Sequence, residues 1–124
     1  MAIRRIDHVQ IAMPAGREAD ARAFYCGMLG LTEKEKPAVL AARGGCWFES
    51  GPVVVHLGVD KNFAPAGRAH PAFIVDDLAG LEKRLKAAGY RVTEDEPIAG
   101  CDRRHVYDPF GNRIELIEPH GGQM

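Results

Sequence analysis

The sequence predicts an α+β fold built from two βαβββ modules, and two observations carry that prediction. A strand, helix, strand, strand, strand pattern runs through the first half of the chain and again through the second. The halves also align at nearly constant spacing: Gly30 falls on Gly89, Trp47 on Val106 and His56 on Glu115, each 59 apart, while His8 falls on His70, 62 apart. Such a repeat implies duplicated modules related by a pseudo-twofold. At 124 residues the chain has the length of one domain with a real hydrophobic core. The expected organisation is a single domain over 1–124, with module one over about 1–59, a connector over about 60–69 and module two over about 70–118.

Residues 3–13, IRRIDHVQIAM, alternate between apolar and polar as a half-buried strand does, and Pro14 with Gly16 closes it. From 18 to 29 the apolar residues Ala21, Phe24, Tyr25, Met28 and Leu29 recur at three and four spacing, which predicts an amphipathic helix ending at Gly30. Strands are expected near 38–42, at 46–49 and, beyond a Ser50-Gly51-Pro52 turn, over VVVHLGV at 53–59.

After a connector rich in Gly, Pro and Ala, HPAFIV at 70–75 reads as a strand and Asp77 as the cap of a helix. Leu78, Leu81, Leu85 and Ala88 line one face of that helix and Gly89 ends it. Strands are predicted at 90–93, 104–107 and 113–118.

Hydrophobic residues at 46% and charged residues at 27% are ordinary globular usage and leave no room for a long disordered tail. The net charge of −1, with lysines and arginines spread along the chain, argues against nucleic acid as a partner. No apolar run is long enough for a membrane span, and MAIRRIDH has no apolar stretch of the kind that export signals carry. Cys26, Cys46 and Cys101 are odd in number and lack CxxC spacing, so they read as free thiols of a reducing compartment; the expected location is the cytoplasm.

Two histidines and one carboxylate on one face suit intermediate divalent metals and leave coordination positions open. His8, His70 and Glu115 supply such a set, and with His56 they occupy two pairs of repeat-equivalent positions, which chance seldom arranges. By alternation Glu115 shares a face with Arg113 and Ile117, opposite Ile114 and Leu116. If 108–112 is a five-residue loop, Tyr107 faces Arg113 and His105 lies opposite Glu115, which gives His105 an acid/base or supporting role beside the metal.

His56 is either a fourth ligand or a neutral base near the metal; the base is preferred because three ligands already leave room for a bidentate substrate and O₂. Arg68 and Arg103, with Arg104, are candidates for binding an anionic substrate, while His120 is expected to be solvated and Trp47 and Phe48 to be core.

IDHVQIAM near the start, FYCGMLGL closing the first helix and YDPFGNRIELIEP at the end resemble the vicinal oxygen chelate superfamily over nearly the whole chain. That superfamily includes glyoxalase I, extradiol dioxygenases, methylmalonyl-CoA epimerase, and fosfomycin-resistance and bleomycin-binding proteins. The resemblance implies paired βαβββ modules forming a curved mixed sheet around a metal-binding cleft, with ligands from the first strand of each module and the last strand of the second. Those positions match His8, His70 and Glu115. In glyoxalase I the position matching His56 usually carries a carboxylate or amide ligand; in extradiol dioxygenases it is a histidine that handles protons, and the position matching His105 is a tyrosine. Such dioxygenases usually carry four modules and this chain has two.

The expectation is therefore a divalent-metal-dependent enzyme, using Fe²⁺, Mn²⁺, Ni²⁺ or Zn²⁺, acting on a small metal-chelating substrate as a homodimer. Extradiol-type oxygenation is placed ahead of glyoxalase-type isomerisation, and metal-independent binding of a small molecule such as an antibiotic is the non-enzymatic alternative.

Overall fold

In the computed structural model, residues 2–122 are described, and the chain divides into two compact units, one ending at Ala64 and the other beginning at Pro65. Each unit is a four-stranded mixed sheet with helical elements, so the α+β reading and the βαβββ repeat are both met. No helix of the described residues is long and apolar enough to cross a membrane.

The first unit runs β1 (Val9–Met13), α1 (Glu18–Arg22), β2 (Thr32–Lys34), α2 (Ala38–Ala41), β3 (Cys46–Ser50) and β4 (Val53–Val59). Its sheet order is β1-β4-β3-β2, with β1 parallel to β4 and the other pairs antiparallel. The expected single helix is present but changes pitch: from Ala23 to Met28 it widens, and Leu29 N–H bonds the Phe24 carbonyl five residues back at 3.0 Å. Phe24 and Tyr25, adjacent in sequence, are both fully buried, and the Tyr25 ring stacks on Phe48 at 5.6 Å.

One expectation is corrected here. The segment predicted as a strand near 38–42 is the helical turn α2, and the strand that pairs with β3 on the side away from β4 is β2 at Thr32–Lys34. Pro37 with ψ of 145° turns the chain into Ala38-Val39-Leu40-Ala41, and alanine and leucine favour helix once started. β2 is an exposed edge strand, TEK, with no apolar alternation to betray it.

The second unit runs β5 (Ala72–Ile74), α3 (Leu78–Ala87), β6 (Val92–Thr93), β7 (Cys101–Tyr107) and β8 (Arg113–Pro119), in sheet order β5-β8-β7-β6. Asp77 caps α3 as expected, its side chain accepting from Gly80 N at 3.0 Å. Leu78, Leu81 and Leu85 are buried along with Val106, Ile114 and Leu116 of the sheet. Gly30 and Gly89 end their helices at φ of +78° and +90°, a conformation glycine adopts without strain, which supports their equivalence in the repeat.

Strand register refines the repeat. His56 pairs with Gln10 and Trp47, and Glu115 pairs with Ala72 and His105. Gln10 and Ala72 are 62 apart, so β1 and β5 keep the spacing that matches His8 with His70. Across the other ladder the residue equivalent to Trp47 is His105, not Val106, because the β7–β8 connection is one residue longer.

Candidate metal centre

The turn after β7 sets the register on which the centre of the second unit depends. Buried Asp108 accepts from Phe110 N at 2.9 Å and Asn112 N at 2.8 Å through one oxygen, and from Asn112 Nδ2 at 2.9 Å through the other. Asp108 N–H bonds the Asn112 carbonyl at 2.9 Å, which closes the five-residue loop and leaves Tyr107 opposite Arg113 and His105 opposite Glu115.

Ile114 and Leu116 point into the core, so alternation sends Glu115 to the other face with His105, and parallel pairing brings β5 alongside. His70, just before β5, then approaches: its Nε2 lies 2.9 Å from Glu115 Oε1, and its ring meets His105 edge-on at 5.4 Å between centroids. One donor atom from each of His70, His105 and Glu115 lies within 4.8 Å of the others.

Three features fit this group to a divalent ion. The buried His105 Nε2 has no hydrogen-bond partner among the described residues, since Glu115 Oε1 at 3.8 Å is too far for one. His70 faces an acceptor on each side, the Arg68 carbonyl 2.6 Å from Nδ1 and Glu115 Oε1 2.9 Å from Nε2, so a neutral ring cannot donate to both. Donors sharing an ion at about 2.1 Å must lie within about 4.2 Å of each other, and Glu115 Oε1 meets that with both histidines.

The other oxygen of Glu115 is held by Arg103, whose Nη1 donates at 3.0 Å. Arg103 is further engaged by the Glu96 carbonyl at 3.1 Å and by Asp95 at 3.3 Å. Burial works against ionisation of Glu115, but hydrogen bonds from His70 and Arg103 outweigh it and hold the carboxyl below its ordinary range. Burial pulls His105 below the usual histidine value, against the attraction of Glu115 and with the help of the Arg113 and His70 charges. A neutral His105 and an ionised Glu115 are the forms that donate lone pairs to a metal.

In the first unit the equivalent positions hold His8 and His56. Their rings stack at 4.2 Å, and Trp47 covers the other side of His56 at 4.3 Å and 7° between planes. His8 Nδ1 donates to Asp7 Oδ2 at 2.9 Å, the kind of contact that orients a metal-bound histidine. Burial, then the neighbouring His8, lowers the basicity of His56.

Of the residues singled out from sequence, His70, Glu115 and His105 come together in the second unit and His8 with His56 in the first. Arg103 is bound to Glu115; Arg68 meets the group through its backbone, its side chain being exposed. Arg104 pairs with Glu82, and exposed His120 with Asp102. Phe48 is core as expected, but Trp47 is not: neighbours on a strand face opposite ways, and Trp47 takes the His56 face. That alternation was the signal available for it.

A family model described as the Glyoxalase/Bleomycin resistance protein/Dioxygenase superfamily matches residues 5–116. Among solved structures the chain is similar to a glyoxalase family protein from Bacillus anthracis, at 47% identity and a TM-score of 0.90, covering 97% of this chain and 98% of that one. A glyoxalase/dioxygenase from Nostoc punctiforme shares the fold at 20% identity and a TM-score of 0.78, with 96% and 93% covered. So does a genomically encoded fosfomycin resistance protein from Listeria monocytogenes, at 15% identity and a TM-score of 0.76, with 95% of each chain covered. A search of curated proteins gives no match. The two βαβββ units and the family match over 5–116 together establish that this chain belongs to the Glyoxalase/Bleomycin resistance protein/Dioxygenase superfamily.

Proposed function

We propose that the protein is a divalent-metal-dependent enzyme acting on a small molecule that chelates the metal through two adjacent oxygens, with extradiol-type oxygenation as its reaction. The observation that carries this reading is the buried His105 Nε2, which has no hydrogen bond among the described residues and faces the His70–Glu115 pair. An uncharged buried nitrogen with no hydrogen bond is costly, and a metal ligand is a role that makes use of it.

In this proposal His70 and Glu115 are metal ligands, and His105 either joins them or moves a proton beside them. His8 is proposed as a ligand because its repeat partner His70 is one and because Asp7 orients it as metal-bound histidines are oriented. When bound, a redox-active divalent ion supplies Lewis acidity toward the substrate oxygens and electrons for O₂. His56, uncharged at neutral pH and fixed between two rings, accepts the substrate's proton. Arg103 keeps one oxygen of Glu115 engaged so that the other points at the metal. Arg68, exposed beside His70, remains a candidate contact for an anionic substrate. The protein is proposed to act in the cytoplasm as a homodimer.

Metal analysis of protein purified without chelator, followed by anaerobic Fe²⁺ reconstitution and a catechol screen for ring-cleavage colour with O₂ uptake, tests this directly. Nickel- or zinc-dependent turnover of a hemithioacetal without O₂ uptake would replace oxygenation with glyoxalase-type isomerisation. Tight ligand binding in EDTA with no bound metal would make the chain a binding protein instead.

A further inference from the structure

We propose that the first unit holds a seat for a planar aromatic anion, stacked against Trp47 and held through its carboxylate by Lys36 and Arg43. The seat is a cavity of about 740 Å³ on the His56 face of the first sheet, within the size range of small-molecule sites. Register sets its floor as a row across four strands: Lys34, Trp47, His56 and Gln10.

The rings in that row are not equally available. His56 is covered on one face by His8 and on the other by Trp47, at 4.2 and 4.3 Å. Among the described residues the indole stacks on a ring on its β4 side alone, and on its β2 side, where Lys34 is its register partner, it borders the cavity. An indole face open to a cavity is a stacking platform for a flat ring.

The charges around the cavity select the sign of the ligand. Asp7 is bound by His8 at 2.9 Å and Glu49 by Lys34 at 3.5 Å, so both carboxylates of the lining are taken. Lys36 donates to the Gly44 carbonyl, which does not neutralise it. Arg43 is exposed at the rim, and its guanidinium has no hydrogen bond or ion pair among the described residues. Two positive charges therefore face the cavity without an anion, and the arginine fork matches a carboxylate in two hydrogen bonds. The seat is built by the first unit and shares His8 and His56 with the proposed centre, but its binding is read without metal, so its failure is distinguishable from that of the metal-enzyme reading.

Trp47 is the single tryptophan of the chain, so its fluorescence reports on the seat directly. The full-length protein is titrated in EDTA with benzoate and with benzamide, a neutral molecule of the same shape. Benzoate is expected to quench saturably and to bind about tenfold or more tightly than benzamide. Arg43→Gln and Lys36→Gln should each weaken benzoate by about three- to tenfold and leave benzamide unchanged. Equal affinity for the two probes, no saturable quenching by benzoate, or unchanged benzoate binding in Arg43→Gln would each overturn the proposal.

Discussion

His105 sits directly across the β7–β8 ladder from Glu115, its Nε2 3.8 Å from the carboxylate and without a hydrogen bond among the described residues. A protein selected only for stability has little reason to keep such a group, because an unsatisfied buried donor or acceptor costs about 1–3 kcal/mol. His105→Leu should therefore leave the thermal stability of the metal-free protein unchanged or raise it. The same variant should lose most of the stabilisation that added metal gives the wild type. Melting curves with EDTA and with metal, run on both proteins, check the pair of outcomes; a large loss of stability in EDTA would show that His105 serves the core instead.

Arg103 bears on Glu115 from the opposite side, and its other contacts, Glu96 and Asp95, fix where its fork points. Arg103→Lys keeps a positive charge but loses the planar fork, so metal affinity should fall by about 10- to 100-fold while the fold remains. Competition with a chromophoric chelator measures this. Affinity equal to wild type would mean that Glu115 needs no outer partner.

These two residues also mark where sequence reading succeeded and stopped. The five-residue loop and period-2 alternation were enough to place His105 opposite Glu115, and Asp77, Gly30 and Gly89 announced helix ends through local backbone chemistry. The α2 turn was missed because a four-residue apolar run has no period by which helix and strand can be told apart. The pairing of Trp47 with His56 was hidden by one extra residue in the second hairpin, which only hydrogen-bonded register reveals. The bonds of Arg103 to Glu115, Glu96 and Asp95 were not legible either, because a sequence shows a cation's presence but not the acceptors it meets.

Asp108 is the residue on which the His105–Glu115 register depends. Asp108→Asn puts an amide donor where three N–H groups now point at carboxylate oxygen, so at least one donor in a buried turn is left facing another. The expected loss is about 2–3 kcal/mol of stability, with weakened metal binding beside it. Urea unfolding followed by metal titration checks both; a stable variant with intact metal binding would mean that the strands hold register without the turn.

Cys46 gives the protein an alkaline limit. Its thiol is almost fully buried and burial pushes it from the ordinary 9.0 up to about 11. Between those values the unfolded chain has released the proton while the folded one still holds it, so stability falls as pH rises through that window. The contribution lost is about 2–3 kcal/mol. Cys46→Ala should flatten this part of the stability profile relative to wild type, and Cys46 should resist iodoacetamide until the protein unfolds. Equal slopes for the two proteins between pH 9 and 11 would place the alkaline loss elsewhere.

The last prediction concerns His56, whose two neighbours make structural and chemical roles hard to separate by deletion alone. His56→Ala removes the ring between His8 and Trp47, so a drop in activity could follow from lost stacking as readily as from lost proton transfer. His56→Phe keeps a flat aromatic ring at the position, slightly larger, and removes both nitrogens. If His56 is the proton acceptor, the Phe variant should keep its bound metal and the Trp47 emission maximum of wild type, while kcat falls by about 10²- to 10⁴-fold. If His56 is a ligand instead, as its repeat partnership with Glu115 would have it, metal should leave with the imidazole in both variants. Metal content, Trp47 emission and kcat measured together on the two variants therefore distinguish three roles. Retained metal with unchanged kcat in His56→Phe would leave His56 as a packing residue and move the search for the base to His105.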